Sequence, residues 1–272
     1  MKLDTSSYYP ASPLDDDPEE EIIVEVEETP VPEKNENSQE EENEKVEKPD
    51  EDTGYESEPD RSYPPTTGER IADGFATFLS WVMVPLLMPV YGVLLAFNVS
   101  ILDFTPMSVK TVFTLVTVAF TVAVPALLVL LLKRMGLVHD VGLNGRKERL
   151  IPYIISIMCL VGIGWFMWYK GAPMWLVMFF GGGAVAGFVN LLVNFKWKIS
   201  AHAAGAAGVV ALLIRIIRIG FPQEGAFIWL LVSIALSGLL GSTRVWLGRH
   251  TVWQVLAGYA VGFLSVFFMT MI

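Results

Sequence analysis

Past residue 70 the apolar positions of this chain run continuously, in stretches of roughly 20 broken by short polar gaps. Seven stretches can be drawn, at about 71–98, 111–132, 151–169, 173–193, 202–219, 227–241 and 252–271. Hydrophobicity that is continuous rather than alternating predicts membrane-spanning helices and excludes a β-barrel. It also excludes a soluble globular enzyme. The expected fold is all-α, a polytopic membrane helix bundle of six to seven spans. Pro85 and Pro89 interrupt the first stretch, which is expected to kink or to start at the interface. The sixth is short and reads on into Ser242-Thr243. Tyr153, Trp168, Tyr169, Trp175, Trp246 and Trp253 mark stretch ends, as interfacial aromatic belts do. Gly181-Gly182-Gly183 and the Ala/Gly run at 203–208 would let helices pack closely in lipid.

Charge divides the chain in two. Residues 1–70 hold 24 of the 29 acidic residues and 6 of the 19 basic ones, a net of −18, whereas residues 71–272 carry +8. Dense like charge, many prolines and few apolar residues predict a disordered acidic N-terminal tail over 1–70, ahead of a membrane domain at 71–272. The acidity belongs to that tail, so no nucleic-acid partner is expected. Its one apolar island, Ile22-Ile23-Val24, is a candidate for binding a protein partner. Positions 1–60 contain no apolar h-region, and the first span near Ile71 is expected to act as the insertion signal. The single cysteine, Cys159, permits no intramolecular disulfide and no cysteine-based metal site.

The polar breaks are unlike one another. Those after stretches two, four and six are basic: Arg146-Lys147-Glu148-Arg149, Lys196-Trp197-Lys198, and Arg244 with Arg249. Alternate breaks lie on one membrane face, so these cations converge, and with seven crossings the tail lies there too. Counting positive charges puts that face in the cytoplasm. Cations recruited to bind phosphate would serve equally well on either side, so both orientations stay open.

Two of the three histidines stand where a basic break meets a span. His139 is alone in its break. Ser200 is a candidate N-cap that would place His202 in the first helical turn, where free N–H groups and the helix dipole favour an anion. His250 and Gln254 are four apart, so the amide oxygen can accept from the imidazole and fix its tautomer. Two histidines, Arg244, Lys198 and a helix N-terminus form a set that binds phosphate and can act on it. No carboxylate cluster accompanies them, and no divalent metal is expected.

These residues resemble the type 2 phosphatidic acid phosphatase superfamily, which shares its site with vanadium haloperoxidases. That family's P-S-G-H motif is matched by Ile199-Ser200-Ala201-His202 at the serine and histidine. Its third motif, S-R, five residues, H, three residues, D, is matched in spacing by Thr243-Arg244, His250 and Gln254. Arg146, Lys147 and Arg149 before Pro152 loosely echo the first motif, a lysine followed by Arg-Pro. The opening at 85–92, the "RKER" and "KISAH" segments and the ending after His250 resemble a Bacteroidetes-type branch. The resemblance covers 71–272. It departs at Ile199, Thr243 and Gln254, and a glutamine orients His250 without stabilising its cation by charge.

The resemblance implies hydrolysis of a lipid phosphomonoester or pyrophosphate at the cell (inner) membrane, with no cofactor and no metal. His250 would attack phosphorus, His202 would act as general acid, and Gln254 would orient His250. Arg244, Arg146, Arg149, Lys198 and Ser200 would hold the phosphate oxygens. The rival reading is a membrane protein that binds or transports lipid phosphate without turnover. An ordinary transporter would show inverted repeats, and the sequence shows no internal repeat.

Overall fold

In the computed structural model, residues 65–136, 150–218 and 223–272 are described, all within one compact unit. The acidic tail read from the sequence lies outside them as far as residue 64. The first described helix, α1 (Thr67–Val82), begins before Ile71. A capping box starts it: the Glu69 N–H donates to the Thr66 hydroxyl at 3.3 Å, and the Glu69 carboxylate accepts from the Thr66 N–H at 2.8 Å.

The first apolar stretch is two helices, not one span. Pro85 and Pro89 separate α1 from α2 (Met88–Val99), and Pro89 lies in the first turn of α2, where its missing N–H is harmless. The Tyr91 hydroxyl donates to the carbonyl of Val82 at 2.7 Å, satisfying an end that α1 leaves open. With 12 residues, α2 is about 18 Å long, against a hydrocarbon core of about 30 Å.

Six of the described helices are long and apolar enough to cross a membrane: α3 (Met107–Arg134), α4 (Leu150–Tyr169), α5 (Met174–Asn194), α6 (Ala201–Arg218), α7 (Ala226–Trp246) and α8 (Val252–Met271). Inside α3 a π-turn at Ala119–Ala123 precedes Pro125. The proline has no N–H to give and its ring would crowd the carbonyl four residues back; the widened turn relieves both. Buried Thr117 and Thr121 donate back to the carbonyls of Phe113 and Thr117 at 2.8 and 3.0 Å. As expected, α7 continues through Ser242-Thr243 and ends at Trp246.

The bundle is centred on α6. Lipid tails are as apolar as leucine, so helices associate here by backbone approach over small residues. Gly258 of α8 faces the Ser200 carbonyl, Gly262 faces Ala204, and Val266 faces Gly208, so α6 and α8 run parallel. A Cβ on Gly258 would stand 2.5 Å from the Ser200 oxygen. On α5, Gly182 leaves the same kind of room: a Cβ there would meet the Val266 Cα at 2.6 Å. Because α5 places Gly181 beside Met269 and Gly182 beside Val266, it runs against α8. Gly187 and Gly183 of α5 face Ile157 and Leu160 of α4, which runs opposite to α5. One end of the bundle therefore collects the starts of α4, α6 and α8 and the ends of α5 and α7.

Candidate active site

At that end Ser200 is fully buried, and its hydroxyl accepts the N–H of Ala203 at 3.3 Å. It is the N-cap of α6, and His202 falls in the first turn, half-buried. The Ser200 N–H donates to the Gln254 carbonyl at 3.2 Å. That single bond ties the first turn of α6 to the first turn of α8, although 54 positions separate the two residues in sequence.

A turn explains the spacing between Arg244 and His250. Helix α7 ends in a Schellman motif: the Gly248 N–H donates to Val245 at 3.0 Å, and the Arg249 N–H to the Arg244 carbonyl at 3.1 Å. Gly248 carries the positive φ, 66°, that this motif requires. The His250 N–H then reaches the same Arg244 carbonyl at 3.2 Å. Reversal of the chain thus sets Arg244 and His250 backbone to backbone. Thr243 is buried and its hydroxyl donates to the Leu240 carbonyl at 2.8 Å, so its side chain serves its own helix.

Gln254 has two roles. Thr251 caps α8, accepting the Gln254 N–H at 3.4 Å, while the Thr251 N–H donates to Gln254 Oε1 at 3.1 Å. The same Oε1 stands 3.1 Å from His250 Nδ1. The Thr251 N–H identifies that atom as the amide oxygen, an acceptor, so Nδ1 carries the proton and Nε2 keeps its lone pair. His250 is only 7% exposed, held on both sides. Two helix N-termini direct their positive ends to this place, and half-buried Arg244, Arg249 and Lys198 lie on the segments that meet at this end of the bundle.

Of the residues read from the sequence, His202, His250, Arg244, Ser200, Lys198 and Gln254 lie at this end. Arg146 and Arg149, with Lys147 and His139, lie outside the described residues; Leu150, just after them, opens α4 at the same end. Sequence reasoning missed Asn190 and Asn194, buried one turn apart where α5 arrives. Two asparagines four apart inside an apolar span were the available signal. Asn190 Oδ1 has no hydrogen-bond partner among the described residues. Asp73 was missed as well: it accepts from the Trp246 indole at 2.9 Å and pins α1 to the end of α7. Among the described residues no three His, Cys, Asp or Glu side chains gather as metal ligands would.

Residues 173–272 match the family model described as the PAP2 superfamily. The C-terminal helices of this chain are thus similar to that superfamily. No curated protein and no solved structure matches the chain. The matched segment opens at Pro173, the residue that caps α5, and contains α5–α8 with both site histidines, Ser200, Arg244 and Gln254. Helices α1–α4 precede it. With its six apolar helices, this is a multi-pass membrane protein, and the matched helices form the core of the bundle.

Proposed function

We propose that this protein is an integral membrane phosphatase that removes phosphate from a lipid phosphomonoester or pyrophosphate through a phosphohistidine. The observation that carries the reading is the Ser200–Gln254 bond, because it joins the first turn of α6, which bears His202, to the first turn of α8, whose Gln254 holds His250. His250 Nε2 attacks phosphorus while its Nδ1–H stays on Gln254, and the phosphorus–oxygen bond to the lipid breaks. His202 gives a proton to the departing lipid oxygen, a contribution on the order of 10²–10⁴-fold. Water, losing a proton to His202, then cleaves the phosphohistidine and releases phosphate. Arg244, Lys198, Arg146 and Arg149 neutralise the phosphate oxygens, joined by the N–H groups after Ser200. The charge stabilisation comes from protein cations and helix ends, with no metal in the scheme. A site at the end of a membrane bundle suits a lipid whose headgroup stays in water, and the cell (inner) membrane is the proposed location.

The test is phosphate release from phosphatidic acid and from a polyprenyl pyrophosphate by purified protein in EDTA, with trapping of radiolabelled phosphate on His250. Acid-labile label that vanishes in His250→Ala supports the mechanism. Gln254 supports the second reading, because a neutral amide leaves the imidazolium without a counter-charge. Tight binding of phosphatidic acid with no phosphate released would establish that reading instead.

A further inference from the structure

Below the turn that carries Arg244 and His250, α7 and α8 part. The gap between them is a groove of about 400 Å³, within the roughly 300–1,000 Å³ usual for small-ligand sites. Gly238, Gly241 and Val245 line it from α7, and Val252, Leu256 and Tyr259 from α8. From Gly238 to Trp246 the lined part of α7 rises about 12 Å, close to the depth of one leaflet's hydrocarbon, about 15 Å. The lower end is closed by Tyr259, whose hydroxyl donates to the Ser237 carbonyl and whose ring tip occupies the space beside Gly241. A Cβ on Gly238, by contrast, would meet nothing within 4 Å.

The groove's walls adjoin the site residues along the chain. Val245 follows Arg244, and Val255, another wall residue, follows Gln254. Its walls are mostly apolar and it is open along the bundle's side. A phosphate held at Arg244 and His250 has its lipid backbone at the mouth of this gap.

We propose that the α7–α8 groove receives one hydrocarbon chain of the lipid phosphate and that Tyr259 sets how deep the chain reaches. This rests on the phosphatase reading of the site. The chain enters sideways from the leaflet, so the headgroup reaches His250 without leaving the interface. Selectivity for long-chain over water-soluble phosphates follows, since the apolar walls hold the chain before and during the reaction.

The test uses the full chain in lipid nanodiscs, with Gly238→Trp and Leu256→Trp filling the groove from either wall. Leu236→Trp is the control, two residues and about 200° away on α7. Dioleoyl phosphatidic acid and monomeric dibutyryl phosphatidic acid are the substrates. Binding of the dioleoyl lipid is measured separately by native mass spectrometry. Each groove variant should lower the long-to-short ratio of kcat/KM at least tenfold, weaken dioleoyl binding to match, and leave dibutyryl turnover unchanged. Leu236→Trp should change none of these. An unchanged ratio and unchanged binding in both groove variants overturn the groove and leave the phosphatase reading intact. An equal fall on both substrates also overturns it, as structural damage. If the parent chain hydrolyses neither lipid, the phosphatase reading fails. Dioleoyl binding undiminished by Gly238→Trp would then overturn the groove as well.

Discussion

Helices α5–α8 and helices α1–α4 both supply apolar spans but are held together differently. In α6 the most apolar window is 61% buried, whereas in α3 it is 17% buried. Around α8 the contacts run to backbone, over Gly182 of α5 and over Gly258 and Gly262 against α6. The other half relies on side chains: the Phe97 and Phe113 rings meet at 6.1 Å, and Phe113 and Phe166 at 5.9 Å. Its first apolar stretch breaks at Pro85, and α3 widens into a π-turn before Pro125. The difference shows where precision is needed. A site defined by one N–H on one carbonyl between two helices requires backbones that cannot slide, and only glycine and alanine contacts supply that.

The comparison breaks most visibly at His250. His250→Ala should lower phosphate release by at least about 10³-fold while the protein elutes as before on size exclusion. Robust turnover by that variant would remove the phosphohistidine. Next comes Gly262→Val, whose side chain would overlap the Ala204 backbone. It should cost about 3 kcal/mol or prevent folding, read by thermal unfolding in detergent. Unchanged stability would show that α8 is free to shift on α6.

Gln254→Leu should lose about 10²-fold in kcat, since it removes both the acceptor for His250 and half of the α8 capping box. Gln254→Glu keeps both contacts and should stay within a few-fold. Equal rates for the two variants would reduce Gln254 to packing. The other half of the molecule should respond far less. Gly74→Ala in α1, where a Cβ meets nothing within 4 Å, should raise stability by about 0.5–1 kcal/mol through helix propensity alone. A clear loss there would place α1 in the tightly packed class. Deleting residues 1–64 should leave specific activity within a few-fold, and complete loss in an inserted protein would make the tail part of the enzyme.

Continuous hydrophobicity alone determined that the chain is a bundle of membrane helices, because a backbone in lipid must satisfy itself within each helix. Local chemistry also determined Ser200 as a cap and the reach of Gln254 to His250, since both act within four residues. The capping box at Thr66 and Glu69 is equally local, its two residues three apart. Tertiary structure decided the rest. Hydrophobicity could not show that the first stretch is two helices, with α2 lying beside α6, because prolines permit a break without dictating where the pieces pack. Nor could it place Asn190, Asn194 or Asp73 at the site end, or open a groove between α7 and α8. The joining of Ser200 to Gln254 depends on α6 and α8 running parallel in register. That register is set by glycines meeting carbonyls on another helix, a contact between positions far apart in sequence that no local pattern encodes.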